Sequence, residues 1–444
     1  MSDYKTTLHE SEIESNFAPI DPLMTGAEVL LEANRCIYCF DAPCTKACPT
    51  HIDVPGFIKR IASGNLKGAA RVILDANPIG GSCAKVCPVE VLCEGACVEK
   101  TLVAKPIEIA RLQRYATRHG GSKELFAVKP SNGKTVAVIG SGPAGLSCAA
   151  YLARNGCSVT VFEKHSVPGG LNSHGMAEYK LTRAQSIEEV EMIAALGVEF
   201  RVNTRIVGSE EEESEGNVSF ERIRDEFDAV FIAIGLGATR NLSIPGEDLE
   251  GVYEALDFIE RIKNRNWSEI PLGRTIAVVG AGNTAVDVVT QAKRLGAERV
   301  MMVYRRTRND MSAFDYEYEL AKSDAVEFVW DATPVAVTGN GRVEKLLCRH
   351  SKSNEEFEIS CDMLIKAIGQ ERRDGFLNSI GVATDDRGHV AVDNELRTSL
   401  EGVFAGGDCV NGGSEAVDAA QAGKKAASAI HKSLFGEELE LAGL

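Results

Sequence analysis

The sequence lacks any long apolar run. None of its 444 residues lies in an uninterrupted hydrophobic stretch near the roughly 18 residues that a membrane-spanning helix needs. The opening stretch, MSDYKTTLHESEIESNF, is polar and acidic and has no apolar region typical of a secretory signal. We therefore expect a cytoplasmic protein without a membrane anchor.

Basic residues are outnumbered by acidic ones, 48 against 64, and histidine is scarce. The formal net charge is −16, which argues against binding to nucleic acid or to anionic lipid. The 8 histidines show no HxxxH spacing. No Ser/His/Asp or Cys/His set suggests a nucleophilic catalyst, so we assign no catalytic residue and expect the chemistry to come from cofactors.

Cysteine, in contrast, is abundant and clustered. Of the 13 cysteines, eight fall in two groups, which read Cys36-x2-Cys39-x4-Cys44-x3-Cys48-Pro49 and Cys83-x3-Cys87-x5-Cys93-x3-Cys97. A reducing cytosol keeps thiols free for metals or redox chemistry, so disulfides are not expected. The first group resembles the ferredoxin arrangement of iron–sulfur ligands. Zinc is the alternative, although zinc sites usually use paired CxxC motifs or histidines.

A dinucleotide-binding fingerprint follows the cysteines. Gly140-x-Gly142-x-x-Gly145 stands between a buried-strand pattern and a helix predicted over 144–155, so the helix N-terminus would face a pyrophosphate. Glu163 ends the next predicted strand, where an acid binds a ribose hydroxyl. This motif predicts nucleotide contacts at Gly140, Ser141, Gly142, Ala144, Gly145, Glu163 and Lys164.

A second fingerprint begins about 140 residues later. Gly280-Ala281-Gly282-x-x-Ala285 repeats the layout, with a helix predicted over 284–295, but the following strand leads into Arg305, Arg306 and Arg308 instead of an acid. Arginines suit a 2′-phosphate, so we predict NADPH over NADH. The alternative is that these arginines form surface salt bridges.

Repetition along the chain predicts its domain organisation. Two strand-plus-glycine segments end at Gly235 and Gly369, one after each fingerprint, and a later strand leads into Gly407 and Asp408. Asp408 suits a hydrogen bond from a flavin ribityl chain, or a helix N-cap. We predict an α-helical iron–sulfur domain followed by two α/β Rossmann-like nucleotide-binding domains, the NAD(P) domain inserted in the FAD domain. The predicted segments are 1–125 (helical), 126–245 (FAD, first part), 246–369 (NAD(P)H) and 370–444 (FAD, second part).

Together these motifs resemble one family. RCIYCFDAPCTKACP, GSGPAG, GGL, AGNTAVD, VYRR and AGGD are similar to the flavin and iron–sulfur subunits that include the small subunit of glutamate synthase and the PreT subunit of bacterial dihydropyrimidine dehydrogenase. The resemblance covers residues 25 to 435. The PreT branch is favoured because the NNFP stretch of glutamate synthase subunits is absent before the second cysteine group. A second mark is the stretch from Pro106 to Gln113.

The resemblance implies FAD, NADPH (or NADH) and two 4Fe-4S clusters. Because a glutamine is an unusual cluster ligand in dihydropyrimidine dehydrogenases, it implies that Cys83 is not a ligand, although counting alone would make it one. The implied ligands are Cys36, Cys39, Cys44 and Cys97 for one cluster, and Cys48, Cys87, Cys93 and Gln113 for the other.

Further nucleotide contacts follow from the same resemblance. The implied flavin contacts are Gly169, Gly170 and Leu171, with Lys180 and Ile206. The implied nicotinamide contacts are Gly282, Asn283, Thr284, Arg305, Arg306 and Gly369. Ser312 and Ala313 stand where relatives tend to carry basic or proline residues, so Arg308 is the alternative third 2′-phosphate contact. Bacterial PreT is generally associated with NADH, which leaves the choice of nucleotide open.

The implied function is electron input. Hydride would pass from NAD(P)H to FAD, and single electrons would then pass through the clusters to a separate PreA-like FMN and iron–sulfur subunit, in a heterotetramer that reduces uracil or thymine. Three enzymatic alternatives are a glutamate synthase small subunit, a free-standing NAD(P)H:acceptor oxidoreductase and a disulfide reductase. The last would need a CxxC in the nicotinamide domain, and none occurs after Cys39. A zinc-pinned adaptor with a nucleotide-sensing fold would contain zinc and would not oxidise NAD(P)H.

Overall fold

The computed structural model describes residues 4–121, 125–209, 211 and 213–441. Two compact units are assembled from separate parts of the chain. The larger unit comprises Asp21–Ser173, Ala184–Leu236 and Arg372–Leu444. The smaller unit comprises Met1–Ile20, His174–Arg183 and Gly237–Glu371.

The N-terminal part of the chain is helical. Its helices are α1 (Glu10–Asn16), α2 (Gly26–Ala33), α3 (Pro43–Ala47), α4 (Val54–Ala62), α5 (Leu66–Ala76), α6 (Gly80–Val86), α7 (Val98–Val103) and α8 (Ile109–His119). Helices α2 to α8 belong to the larger unit, where we call residues 21–121 the helical module. Side-chain caps begin several of them, as where Asp53 accepts a hydrogen bond from the Gly56 N–H at 3.0 Å. Its apolar core is small and centres on Phe57, Ile61, Ile73 and Leu112.

Two α/β folds follow. The first contains β1 (Thr135–Ile139), α9 (Pro143–Arg154), β2 (Ser158–Phe162), α10 (Leu171–His174), α11 (Arg183–Ala194), β3 (Glu199–Arg201), β4 (Arg205–Val207), β5 (Asn217–Ser219), α12 (Phe220–Glu226) and β6 (Ala229–Ile232). The second contains β7 (Val252–Glu254), α13 (Ala255–Lys263), β8 (Thr275–Val279), α14 (Asn283–Arg294), β9 (Arg299–Val303), α15 (Asp315–Ser323), β10 (Glu327–Val329), β11 (Ala332–Thr338), β12 (Lys345–His350), β13 (Glu356–Ser360) and β14 (Met363–Lys366). The chain ends with α16 (Asp374–Ser379), β15 (Val403–Ala405), α17 (Asp408–Asn411) and α18 (Ala416–Phe435).

The larger unit contains a five-stranded sheet in the order β15-β6-β1-β2-β3, and all its pairings are parallel. Both faces of this sheet are buried. Along β1, Val136 and Val138 face one apolar cluster, whereas Ala137 and Ile139 face another. A strand that is apolar at every position suits this double burial.

The smaller unit repeats the plan. Its main sheet has the order β10-β9-β8-β14-β7 and is also parallel. A separate antiparallel sheet is formed by β11, β12 and β13. Helix α1 also belongs here, since Phe17 packs against Trp267 with ring centroids 5.0 Å apart.

These features confirm the predicted fold class, a helical segment followed by two parallel α/β folds. The structure adds that residues up to Ile20 and the segment His174–Arg183 belong with the smaller unit. The two units are coarser than the four predicted segments, whose boundaries stay a prediction. Among the helices that the structure describes, none has both the length and the apolar composition to cross a bilayer.

Glu189 joins the helical module to the first α/β fold. Its carboxylate, on α11, accepts hydrogen bonds from the Ser82 backbone N–H at 2.9 Å and from the Ser82 hydroxyl. Burial raises the pKa of Glu189 to about 7, although the hydrogen bonds from Ser82 favour the ionised form. The neighbouring Glu188 is exposed and pairs with Arg118 at 2.9 Å.

The raised pKa predicts a loss of stability as the pH rises. The folded state holds a proton on Glu189 to higher pH than the unfolded chain, whose ordinary value is 4.5. The free energy of unfolding therefore decreases between about pH 4.5 and 7. In Glu189→Gln this decrease should be smaller by roughly 1 to 2 kcal/mol, a figure discounted for partial exposure. Thermal unfolding from pH 5 to 8 measures it, with Glu188→Gln as control. Equal slopes in both variants would contradict the assignment.

Candidate cofactor sites

Four cysteines of the helical module line one cavity. Cys36, Cys39 and Cys44 come from the first cysteine group, and Cys97 comes from the end of the second. The wall is otherwise apolar and includes Val54, Pro55, Ile58, Ile107 and Ile109. The Ile107 N–H lies 3.5 Å from the Cys97 sulfur. We call this space, which has an open volume of about 360 Å³, the first cavity.

The remaining clustered cysteines line a second cavity of similar volume. Its sulfur-bearing residues are Cys48, Cys83, Cys87 and Cys93, and Gln113 lies in the same wall. The Gln113 side-chain amide nitrogen donates to the Gly80 carbonyl oxygen at 2.7 Å. Cys83 accepts a hydrogen bond from the Asn77 side-chain amide at 3.2 Å. Val417, from α18, completes part of the wall.

Both cavities fit iron–sulfur clusters by the chemistry of their donors. Burial raises the pKa of the Cys36 and Cys93 thiols, and it raises that of Cys44 to about 12. Hydrogen bonding with Cys83 and then burial raise the pKa of Cys87. Thiolates buried without a cation are costly, and iron offsets that cost. Each cavity thus gathers the soft sulfur donors that iron–sulfur clusters use.

The first fingerprint forms the expected loop between β1 and α9. Gly140 has a φ of 102°, and a Cβ there would lie 2.4 Å from the Ala233 carbonyl oxygen, so glycine is required. The Ser141 N–H and hydroxyl donate to one Glu163 carboxylate oxygen at 3.1 and 2.6 Å. The Ser141 hydroxyl oxygen also accepts from the Gly169 N–H at 2.9 Å.

These contacts fit a flavin nucleotide. The structure brings the glycine loop and Glu163 together, as the motif predicts, and it places beside them Gly169 and Gly170, which the family resemblance implies. A Cβ at Gly142 would meet nothing closer than the Gly170 Cα at 4.0 Å, which leaves space beside the N-terminus of α9. Lys164, two residues after the end of β2, is exposed, whereas Leu171 begins α10. Their contacts with a nucleotide stay a prediction.

Asp408 lies at the start of α17. Gly407 is the N-cap of this short helix, and the Asp408 carboxylate accepts a hydrogen bond from the Ser414 N–H at 3.2 Å. Burial raises the pKa of Asp408. The side chain therefore stabilises the turn ahead of α18, and its bond to a flavin ribityl chain stays a prediction.

The second fingerprint forms the same kind of loop in the smaller unit. Gly280 has a φ of 137°, and a Cβ there would lie 2.2 Å from the Ala367 carbonyl oxygen. Gly282 is the N-cap of α14, and the Asn283 side chain accepts from the Phe314 N–H at 3.2 Å. Ala281 is buried, whereas Thr284 is exposed on the first turn of α14. Dinucleotide-binding loops of this geometry suit NAD(P)H.

The three arginines after β9 have different surroundings. Arg305 and Arg306 are exposed, and neither forms an ion pair with a carboxylate among the described residues. Arg308 instead pairs with Asp315 at 2.5 Å and lies over the Tyr318 ring, 4.1 Å from its centroid. The salt-bridge alternative therefore describes Arg308 and not Arg305 or Arg306.

Two further expected flavin contacts have roles within their own units. Lys180 pairs with Asp287 at 2.7 Å and with Glu317, and all three belong to the smaller unit. Ile206 is buried in the apolar cluster on one face of the larger sheet. No sequence pattern indicated the pairing of Lys180 with two acids.

Gly369, an expected nicotinamide contact, follows β14 with a φ of 93°, and its carbonyl oxygen accepts a hydrogen bond from the Arg240 N–H at 2.9 Å.

Comparison with known families agrees with both halves of the chain. Residues 134–423 match the pyridine nucleotide-disulphide oxidoreductase family. The chain belongs to this family. Residues 13–125 match dihydropyrimidine dehydrogenase domain II, described as a 4Fe-4S cluster domain. The chain is therefore an NAD(P)H-dependent oxidoreductase that uses FAD and 4Fe-4S clusters, as the sequence predicts.

Curated relatives cover almost the whole chain. It is 34% identical over 421 residues to the NAD-dependent dihydropyrimidine dehydrogenase subunit PreT of Escherichia coli K12, which covers 94% of this chain and 97% of that protein. It is 31% identical over 445 residues to the glutamate synthase [NADPH] small chain of the same organism, which covers 92% of each. The predicted family resemblance is confirmed.

Solved structures share the fold. Thioredoxin reductase from T. acidophilum matches with a TM-score of 0.55 at 20% identity, over 67% of this chain and 98% of that chain. FprA from Mycobacterium tuberculosis, in complex with NADPH, matches with a TM-score of 0.56 at 18% identity, over 69% of this chain and 86% of that chain. These matches support the paired Rossmann-like folds.

The arginine surroundings predict a preference for NADPH that depends on Arg305. Arg305→Ala should lower kcat/KM for NADPH at least about tenfold, since it removes the charge-assisted contact that we expect with the 2′-phosphate. The same change should leave kcat/KM for NADH almost unchanged. Arg308→Ala is the matched control, because its guanidinium is already paired. Steady-state reduction of ferricyanide, with NADPH and with NADH as the electron donor, measures kcat/KM for both variants. A wild-type enzyme that prefers NADH would reject the prediction.

Proposed function

We propose that this chain is the electron-input subunit of a dihydropyrimidine dehydrogenase. In this function, hydride from NAD(P)H reduces FAD, and single electrons pass through two 4Fe-4S clusters to a PreA-like, FMN-containing partner that reduces uracil or thymine. The observation that carries the proposal is a pair of cysteine-lined cavities, of which one includes Val417 of the flavin fold and the other includes the exposed Ile37.

The proposed ligands divide between the cavities as follows. Cys36, Cys39, Cys44 and Cys97 hold the first cluster, and Cys48, Cys87, Cys93 and Gln113 hold the second. The lining of the two cavities supports this division, because Cys97 joins the first group and Cys48 joins the second. The Gly80 carbonyl fixes the Gln113 amide nitrogen, so Oε1 is the atom of that amide that would bind iron. Cys83 remains in the wall, hydrogen-bonded to Asn77.

The surroundings of the cavities indicate an order for the electrons. The second cavity includes Val417 from α18 of the flavin fold, whereas the first is lined by residues of the helical module alone. Electrons would therefore leave the flavin fold through the second cluster and reach the first cluster next.

Several exposed apolar side chains lie close in sequence to the cysteines of the first cavity. We call them the apolar rim, which comprises Ile37, Tyr38, Phe40, Leu102 and Val103. Phe40 is fully exposed, and Leu102 is 63% exposed. Exposed apolar patches mark interaction sites, and Ile37 also lines the first cavity. The rim is the proposed docking site of the PreA-like subunit.

The chain's own residues position the nucleotides. In the larger unit, the N-terminus of α9 would hold the flavin pyrophosphate, Glu163 would hold the ribose, and Gly170 and Asp408 would hold the rest of the flavin. In the smaller unit, the loop before α14 binds NAD(P)H, and Arg305 and Arg306 receive the 2′-phosphate. No acid–base residue is required, because the cofactors supply the chemistry.

The ligand assignment predicts different iron contents for two cysteine variants. Cys83→Ala should retain about eight iron atoms per chain, and Cys93→Ala should retain about four, since it loses the second cluster. Iron analysis and low-temperature EPR of the anaerobically purified protein measure this. Cys361→Ala, a buried cysteine of the smaller unit, is the control. If Cys83→Ala loses iron, Cys83 and not Gln113 is the fourth ligand of the second cluster.

The proposed partner predicts a division of activities. The isolated chain should oxidise NAD(P)H with ferricyanide but should not reduce uracil. Anaerobic affinity purification from the native cell should recover an FMN-binding subunit in near-equal amount. Phe40→Asp should lose at least about 90% of that subunit while keeping its iron, because the change places a charge in the apolar rim.

The exposed Val128, changed to Asp, is the matched control and should retain the partner. A large amidotransferase in place of the FMN subunit would establish a glutamate synthase instead. Uracil reduction by the chain alone, or no partner at all, would favour a free-standing reductase.

A further inference from the structure

Lys424 is a fully buried lysine in the helix that contacts the second cavity. Its exposed fraction is 0%, although lysine is almost never fully buried unless it is paired. It follows Gly423, where a Cβ would lie 2.1 Å from the Ala144 carbonyl oxygen. Glycine at 423 therefore holds α18 tightly against α9, and this contact carries the Lys424 side chain into the interior.

The side chain reaches from the flavin fold into the helical module. Its ammonium group donates to the Thr50 carbonyl oxygen at 3.2 Å and to the Ala76 carbonyl oxygen at 3.1 Å. It also lies 5.9 Å from the centroid of the Tyr151 ring. Lys424 thus connects α18 to two separate turns of the helical module.

Those two turns form the wall of the second cavity. Thr50 follows Cys48 and Pro49, and Ala76 precedes Asn77; Cys48, Pro49 and Asn77 all line the cavity. The Thr50 hydroxyl and the Cys48 sulfur are 3.4 Å apart. The ammonium group is therefore bonded to the backbone directly behind a proposed cluster ligand.

Charge also connects Lys424 to this ligand. Burial lowers the pKa of Lys424 to about 8, whereas the negative charges of Cys48 and then Asp75 raise it. The Asp75 carboxylate is itself paired with Arg154 at 2.6 Å. The hydrogen bonds to the Thr50 and Ala76 carbonyl oxygens therefore hold the Lys424 ammonium group on the Cys48 side of the second cavity.

We propose that Lys424 is a positioning residue that raises the reduction potential of the second cluster. Reduction adds negative charge to a cluster, and a fixed positive charge in a medium of low dielectric constant favours that step. The second cluster would then accept electrons from the flavin more readily. This inference rests on the proposed ligand assignment and extends it to a residue that is not a ligand.

A purely structural role would have a different signature. If Lys424 only satisfied the Thr50 and Ala76 carbonyls, its loss would lower stability and leave the cluster potentials unchanged. The potential of each cluster therefore separates the two roles, independently of catalytic activity.

The experiment is an EPR-monitored redox titration of the holoprotein. Lys424→Met should lower the equilibrium constant for reduction of the second cluster at least tenfold, equivalent to about 59 mV for a one-electron couple. The first cluster should change less than about threefold. Lys425→Met is the matched control, because the neighbouring Lys425 is exposed on the same helix. Cys93→Ala identifies which signal belongs to the second cluster.

The outcomes decide between the proposals. Unchanged potentials in a Lys424→Met protein that holds both clusters would overturn the role of Lys424 and leave the ligand assignment standing. A wild-type protein without two clusters would overturn both.

If Lys424→Met fails to fold or to load iron, Lys424→Arg and Lys424→Gln decide, because both can donate to the two carbonyls. A second-cluster potential near the wild-type value with Arg, together with an equilibrium constant for its reduction at least tenfold lower with Gln, supports the proposed role of the charge. A wild-type potential of the second cluster in Lys424→Gln overturns the proposed role of the charge. Loss of the second cluster from both variants overturns it as well.

Discussion

The contact between α9 and α18 is the constraint on which the larger unit depends. Gly423 lies against the Ala144 carbonyl, and the Ser147 hydroxyl donates to the Ala420 carbonyl oxygen at 2.7 Å. Ala144 stands on the first turn after the flavin loop, while Val417, earlier on α18, lines the second cavity. One helix contact thus sets the position of the nucleotide loop and of the cysteine-lined wall together, because close-packed helices transmit small displacements.

Local patterns predicted much of the fold. Strands β1 and β8 are apolar at almost every position and end in glycine loops, and the helices that follow begin within one residue of their predicted starts at 144 and 284. These features depend on neighbouring residues, which a sequence displays. The division of the cysteines is different, since Cys97 joins Cys36 across some sixty residues. Spacing alone leaves that pairing open, and only the family resemblance indicated it.

Non-local contacts account for what the sequence did not predict. Helix α1 looked like part of the helical segment, yet Phe17 packs against Trp267. The pairing of Lys180, an implied flavin contact, with Asp287 and Glu317 was not predicted either. Lys424 lies in an alanine-rich helix beside an exposed lysine, and no periodicity distinguishes the buried one. Tertiary packing selects among such equivalent local patterns, as it does for propensity generally.

The smaller unit is assembled from three separate chain segments, which limits where the protein can be cut into fragments that fold. The chain passes between the units five times, after Ile20, Ser173, Arg183, Leu236 and Glu371. A fragment of residues 237–371 would lack Lys180 and leave the buried Asp287 and Glu317 without their cation, which is strongly destabilising. Recombination that exchanges nucleotide specificity between relatives must therefore transfer three separate segments of sequence at once.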